Sequence, residues 1–337
     1  MAYDIATSFI PEIQSPYINE RSTTLSALWQ SGIVETNQNM AGGLGSGHGN
    51  RVTVPFNLSI EDEDATVGSY TLANKIVPTR IDNSLYTFHA TTRAKSWTTA
   101  DLDRIVVGHD PVGVLTEQLG SFWANNYQKD VLQSCQGVIA DNIANDSGDM
   151  VNDIYSDVVA GSLTAAELIS ADAVIDTQHT MGDHRGMLNA IIMHSDVRKQ
   201  LEKDEPNNFI PASATNIGFA TYLGLAVIED DTMTVTAGTN TPSYDTFLFG
   251  AGVFQYGSDS RLVSEEWDRD ITSSDGMGED FMVTRRRFAL HPQGFDFTLT
   301  NPEDMPSRAD LAVAGNWDRK VSNRKQIKMA VLRSNAL

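Results

Sequence analysis

The 337-residue chain contains a single cysteine, Cys135, so it can form neither an intrachain disulfide nor a cysteine-based zinc site. It has no apolar stretch near the ~20 residues that a bilayer-spanning helix needs. Its first residues, Met1-Ala2-Tyr3-Asp4-Ile5, lack the basic region and apolar core of a secretory signal. The expectation is a chain made and working in a reducing cytoplasm, with no membrane partner. Positive charge is scarce as well: 24 Lys and Arg against 44 Asp and Glu leave a formal charge of −20. That balance argues against a general nucleic-acid binder, whose phosphate contacts need clustered Lys and Arg. It argues equally against an anionic-membrane binder.

What is present suits a globular protein. Hydrophobic residues make up 41% and charged residues 20%, enough for a sizeable core and unlike a disordered or rod-forming chain. The length suggests about two domains, at roughly 150 residues each. Residues 1–40 are poorly periodic, interrupted by Pro11 and Pro16, with a short helix expected within Ser22–Val34. The glycine-rich run Gly42–Gly49 follows and reads as the most flexible segment, so the first forty residues look like an arm tethered to a body. Val52, Val54, Phe56, Leu58 and Ile60 then alternate with polar residues, a strand signal closed by Glu61-Asp62-Glu63-Asp64. A second extended region, 70–97, carries Lys75, Arg80, Arg93 and Lys95. Together they read as a long hairpin with an acidic tip and a basic return strand. Isolated hairpins are marginal in water, so this one must lean on its own body or on a neighbour.

Asp110-Pro111 is a helix start, and apolar residues from Leu115 to Ile143 keep helical spacing. Unbroken to Asn145, that helix is roughly 50 Å long at ~1.5 Å per residue. Cys135 on it reads as a small buried hydrophobe. Beyond Leu163, helices and strands alternate. Thr164 and Glu167 form a capping box for a helix through Met181, and Ser195 or Asp196 caps another through Lys203. Ala190–Met193, Leu223–Ile228 and Thr246–Tyr256 read as strands. Arg261–Trp267 and Phe281–Leu290 are return strands, and the chain ends in a basic tail over Arg319–Lys328.

Candidate chemistry is thin. His194-Ser195-Asp196 has the residue types of a nucleophilic triad, but consecutive residues do not converge as one. His179, Asp183 and His184 have loose metal-ligand spacing and read better as solvated helix-end residues. Gly43-Leu44-Gly45 lacks the preceding strand, following helix and Gly-Lys-Ser/Thr ending of a phosphate loop. Glu229-Asp230-Asp231 and the run 61–64 do not match a calcium-loop spacing. No acid, base, nucleophile and oxyanion donor assemble, so no catalytic residue, cofactor or metal is expected. Arg285-Arg286-Arg287, the one basic triplet, places two arginines on one strand face and the third on the other; a charged row that dense either meets an acidic neighbour or lies on a solvated strand.

This order of elements resembles the major capsid proteins of tailed bacteriophages, the Hong Kong 97-type fold family. Val52-Thr53-Val54-Pro55-Phe56 with its acidic sequel is similar to the start of that family's extended loop. Ala94–Leu102 is similar to the segment leading to its spine helix, here from Asp110-Pro111 onward. Asn189–Ser195 and Tyr222–Ile228 resemble strands of its axial domain. Phe247–Gly252, Arg285–Gly294 and Asn316-Trp317 extend the likeness toward the C-terminus.

The resemblance implies an α+β chain with an N-terminal arm (1–50), an extended loop (51–97), and a peripheral domain with the spine helix (98–160). It further implies an axial domain (161–257), then peripheral return strands and a C-terminal tail (258–337). The implied function is structural and non-enzymatic: self-assembly as hexamers and pentamers into an icosahedral shell that encloses double-stranded DNA without sequence-specific binding. Implied partners are further copies of the chain, a separate scaffolding protein, a portal and a decoration protein, with the virion as location. Glu61, Asp62, Glu63, Asp64, Lys75, Arg80, Arg285, Arg286 and Arg287 are the expected assembly contacts. The family's lysine–asparagine cross-link is not carried over to Lys75. An encapsulin-like shell shares the fold, and a two-domain hydrolase with His194 or His291 as base is a competing reading.

Overall fold

A computed structural model describes residues 27–45, 50–57, 65–68, 75–76, 78, 83–100, 111–204, 206–211, 219–259, 261–276, 278–301 and 304–336. In chain order these form α1 (Ala27–Gln30), β1 (Val34–Thr36), α2 (Gln38–Gly45), β2 (Arg51–Asn57), β3 (Asn83–His89), β4 (Thr91–Ala100) and α3 (Pro111–Asn145). Next come β5 (Val151–Asp153), α4 (Ala171–His179), β6 (Leu188–Met193), α5 (Ser195–Asp204), β7 (Phe209–Ile210), β8 (Thr221–Tyr222) and β9 (Leu225–Glu229). The remainder is β10 (Val235–Thr236), β11 (Ser243–Gly250), β12 (Phe254–Ser258), β13 (Glu265–Asp270), α6 (Ser273–Gly276), β14 (Glu279–Pro292), β15 (Phe295–Phe297), α7 (Arg308–Leu311), β16 (Trp317–Arg319) and β17 (Met329–Ser334).

Two sheets carry the fold. The first runs β1-β12-β14, with β13 beside β12 along one side of the long strand β14 and β4 along the other. The second is mixed and runs β5-β17-β11-β6-β9-β8-β7. The chain passes between them at Gly250–Val253: β11 belongs to the second sheet and β12 to the first. Gly252 makes this crossing at φ +67°, where a side chain would also strike the Glu35 carboxylate.

The spine helix α3 joins the sheets. It is one 35-residue helix, so the expected length of roughly 50 Å holds at ~1.5 Å per residue. Leu119, Trp123 and Tyr127 pack with Met282 and Phe288 of the first sheet, and Val131, Cys135, Val138 and Ile139 join Phe247 and Phe249 of the second. One rod thus fixes the two halves relative to each other. At Gly137 it passes so close to Leu311 and Trp317 that a Cβ would overlap both, which explains a glycine in a helix interior.

Several local expectations change. The helix expected from Thr164 begins at Ala171, capped by Ser170, whose hydroxyl accepts from Ala173 N at 3.3 Å. Thr164 and Glu167 form only half of their box: Thr164 N donates to Glu167 Oε2 at 2.7 Å, while the Glu167 amide donates to the Thr164 carbonyl and closes a turn. Leu168 then bridges to Asn335, which holds the chain extended before α4. Helix α5 is capped by His194 Nδ1, accepting from Asp196 N, and by Asp231, accepting from Ser195 N, rather than by Ser195 or Asp196. Leu223–Ile228 is not one strand: Leu223 and Gly224, both at positive φ, turn the chain between β8 and β9.

The arm and the tail also differ from expectation. Gly42, Gly43 and Gly45 lie in helix α2. Gly43 lets it approach Val52, 2.6 Å from where a Cβ would stand, and Gly257 admits Met40 in the same way. Glycine here buys contact rather than flexibility; residues 46–49 lie outside the described set. Within the segment read as an arm, β1 pairs in parallel with β12 and Leu28 and Ile33 are core residues. The C-terminal segment divides, because β17 leaves the return strands and pairs with β11 inside the second sheet. No described helix is long and apolar enough to cross a membrane.

Candidate assembly interface

The root of the hairpin is built from β2 and β3, paired from Arg51↔His89 to Asn57↔Asn83. Its inward residues Val52, Val54, Tyr86 and Phe88 pack on Met40 and Leu44 of α2 and Ala289 of β14. Thr87 N donates to Asp296 Oδ1 at 2.7 Å, tying β3 to β15. The root therefore leans on its own body. Beyond it, Val67, Lys75 and Ile76 are exposed, with Val67 and Ile76 among the most exposed apolar residues described. Glu61, Asp62, Glu63, Asp64 and Arg80 lie outside the described residues.

Beneath the root sits an aromatic stack. His291, on β14, lies parallel to Tyr86 at 5.6 Å and nearly parallel to Trp317 at 5.7 Å, and its Nε2 donates to Phe295 O at 2.7 Å. Burial lowers its pKa to about 4, so it is neutral at ordinary pH. His89 beside it is lowered by burial too. A base must reach its substrate; His291, at 2% exposure, reaches none.

The arginine triplet is spent inside the chain. Arg285 pairs with Glu266, Arg286 with Glu265 at 2.6 Å, and Arg287 with Asp259 at 3.7 Å. Strand alternation sends Arg286 inward, where it lies 5.5 Å from the Trp123 ring centroid. Arg286 is sealed in the fold and is corrected from an assembly contact to a core residue; Arg285 and Arg287 stay partly exposed.

The basic tail is likewise folded in. Arg319 reaches both oxygens of Asp149, at 2.9 and 2.8 Å. Arg324 donates to the carbonyls of Asp149, Ile327 and Met329 and to Thr180 Oγ1, and burial lowers its pKa to about 10. Lys320 pairs with Asp296 and Asp318, and Lys325 with Asp183. Asp130 on α3 receives both Arg93 of β4 and Arg308 of α7, at 2.8 and 2.7 Å. Such pairings are invisible in one dimension, since they join positions far apart in the chain.

The other clusters resolve into caps. His194 Nδ1 accepts from the Asp196 amide, Nε2 is 3.8 Å from Asp231, and the Ser195 amide donates to Asp231. No serine oxygen faces the imidazole in these contacts. His179 contacts Arg185, and His184 contacts Lys325 O. Among the described residues no group of three His, Cys, Asp or Glu could hold a metal ion.

Comparison with known proteins decides the identity of this scaffold. The family model described as "Major capsid protein 13-like" matches residues 79–328. The chain is 30% identical over 329 residues to the major capsid protein of Bacillus phage SPP1, covering 96% of each. The chain belongs to the major capsid protein 13-like family. It is a structural protein of tailed-phage heads, which form icosahedral shells. Solved structures agree on the fold. The capsid of Ralstonia phage GP4 matches with TM-score 0.60 at 10% identity, over 93% of this chain and 89% of that one. The capsid asymmetric unit of cyanophage Pam1 matches with TM-score 0.58 at 11% identity, over 94% and 92%. The Hong Kong 97-type fold expected from the sequence is the fold observed.

Proposed function

We propose that the chain assembles with copies of itself, as hexamers and pentamers, into the shell that encloses double-stranded phage DNA. The observation that carries this is the likeness to a major capsid protein along 96% of both chains. The hairpin supports it: a root anchored on its own body presents exposed Val67, Lys75 and Ile76 beyond it. Glu61–Asp64, Lys75 and Arg80 are the loop residues proposed to meet a neighbour, with the partly exposed Arg285 and Arg287 of β14 as body-side contacts. Charges of this kind set register more than affinity. The chain acts as a wall and carries no catalysis. Its acidity lets DNA lie inside without being gripped. A scaffolding protein, a portal and a decoration protein are the further partners proposed, with assembly in the host cytoplasm.

Electron microscopy of the chain expressed with its neighbouring phage genes tests the reading. Closed particles built from hexameric and pentameric units are expected. Monomers or dimers alone would overturn it.

A further inference from the structure

The acidic chain gathers positive charge where the turn after α4 meets the segment before β17. The 3₁₀ turn Gly182–Met187 lies against the short turn Arg324–Gln326. His184 Nδ1 meets Lys325 O at 3.3 Å, and Lys325 Cε lies 3.7 Å from where a Gly182 Cβ would stand. Gly250 closes the group from the end of β11: a Cβ there would strike both Met187 O and Lys328 Cβ. Arg185, Arg324, Lys325 and Lys328 are thus brought to one surface from segments 141 positions apart.

Their partners set these cations apart. Arg185 Nη1 donates to His179 Nε2 at 3.0 Å, and Lys328 Nζ to Ala251 O at 3.4 Å. Arg324 donates to three carbonyls and to Thr180 Oγ1, while the Asp149 carboxylate beside it is held by Arg319. Arg185, Arg324 and Lys328 therefore pair with no carboxylate among the described residues, unlike Arg285, Arg286 and Arg287. Lys325 pairs with exposed Asp183 at 2.8 Å. Neutral partners leave the charge of the other three uncancelled.

The ground between the cations is low and open. Gly182 and Gly186 are exposed, and nothing stands within 4 Å of where a Gly186 Cβ would be. Gly182 holds φ +58°, a backbone that favours glycine. Met187 is the one large apolar side chain exposed on this turn. Contacts between proteins draw on aromatic and apolar groups, whereas contacts to nucleic acid are more polar and strongly positive. Clustered Lys and Arg over open ground suit a row of phosphates.

We propose that this patch lies on the inner wall of the shell and touches the phosphate backbone of the enclosed double-stranded DNA through Arg185, Lys325 and Lys328, with Arg324 behind them. Phosphate contacts carry no sequence information. A few cations per copy hold the DNA loosely, and the surrounding acid keeps it from spreading over the wall. The inference rests on the reading of the chain as a shell around DNA and names where the two meet.

Fluorescence anisotropy of a labelled 20-base-pair duplex mixed with free subunits of the full chain, between 50 and 200 mM salt, tests the contact. The wild type should bind, more weakly as salt rises. Arg185→Gln with Lys328→Gln should keep the subunit's circular dichroism, weaken binding at 50 mM salt by about tenfold or more, and reduce the salt slope by roughly 2. Arg185→Lys with Lys328→Arg, which keeps both charges, should bind as the wild type does. No binding by the wild type, equal binding by the glutamine variant, or loss in the charge-keeping variant overturns the proposal. So does polyglutamate binding the patch more tightly than the duplex, which would assign it to an acidic protein. Electron microscopy of DNA-filled particles places the patch: Arg185 and Lys328 turned outward sink this contact alone, whereas particles that never hold DNA sink the enclosing-shell reading with it.

Discussion

The Arg286 guanidinium lies 2.6 Å from the Glu265 carboxylate, and both side chains are closed off from solvent between β13, β14 and the Trp123 ring of α3. Arg286 Nε and Nη1 find no acceptor among the described residues, so the pair is held largely by mutual attraction. Removing one member leaves an uncompensated buried charge. Glu265→Leu or Arg286→Met alone should destabilise by about 3–5 kcal/mol, while the double variant should recover most of that loss. Chemical denaturation of the four proteins measures the coupling; additive losses would show that the two charges act independently.

Acid should loosen the seat of the hairpin. His291 titrates at about 4 in the fold against 6.5 when unfolded, so the unfolded chain binds more protons between those values. Stability is then fully present above pH 6.5 and declines as pH falls toward 4, by about 3 kcal/mol for this group. His89 acts in the same direction. His291→Gln should lower stability at pH 7 and flatten the difference between pH 7 and pH 4.5, as read from urea midpoints. An unchanged pH slope would remove His291 from the account.

Gly137 gives a test of close packing against helix propensity. Alanine at a free helix position would add up to ~1 kcal/mol of stability. Here its methyl would collide with the Leu311 carbonyl and the Trp317 indole, which hydrogen-bond each other at 2.7 Å. Gly137→Ala should therefore lower stability by about 1–3 kcal/mol or more. A raised thermal midpoint would mean that α3 shifts to admit the methyl.

Cys135 should be silent toward thiol reagents in the native chain. It is fully buried on α3, and burial pushes its thiol well above the usual range. Labelling should appear only with the unfolding transition in denaturant; fast labelling in buffer would point to local opening of the spine helix.

Replacing Asp62, Glu63 and Asp64 together by Ala should lower particle yield while leaving the subunit's thermal midpoint unchanged. Normal yield would take these three residues out of the assembly contact.

Local pattern was enough for the elements that carry a strong period. Alternation announced the β2 strand, and helical spacing after Pro111 announced α3, because both signals arise from which face a side chain must bury. Order along the chain was enough for the family resemblance. Partnership is different. Arg286 was expected to meet a neighbour and Arg319–Lys328 read as a basic tail, yet folding brings Arg286 to Glu265 and Arg319 to Asp149, at separations no local pattern encodes. Gly42–Gly45 looked like a hinge because glycine permits many backbones; contact with Val52 and Met40 selected a helix. The Thr164–Glu167 contact formed as half a box around a turn, and the bridge from Leu168 to Asn335 decided where the helix began. By itself the sequence determined the strongly periodic elements, their order and the excess of acid. Only the tertiary structure decided which charges were already satisfied, since that depends on long-range pairing.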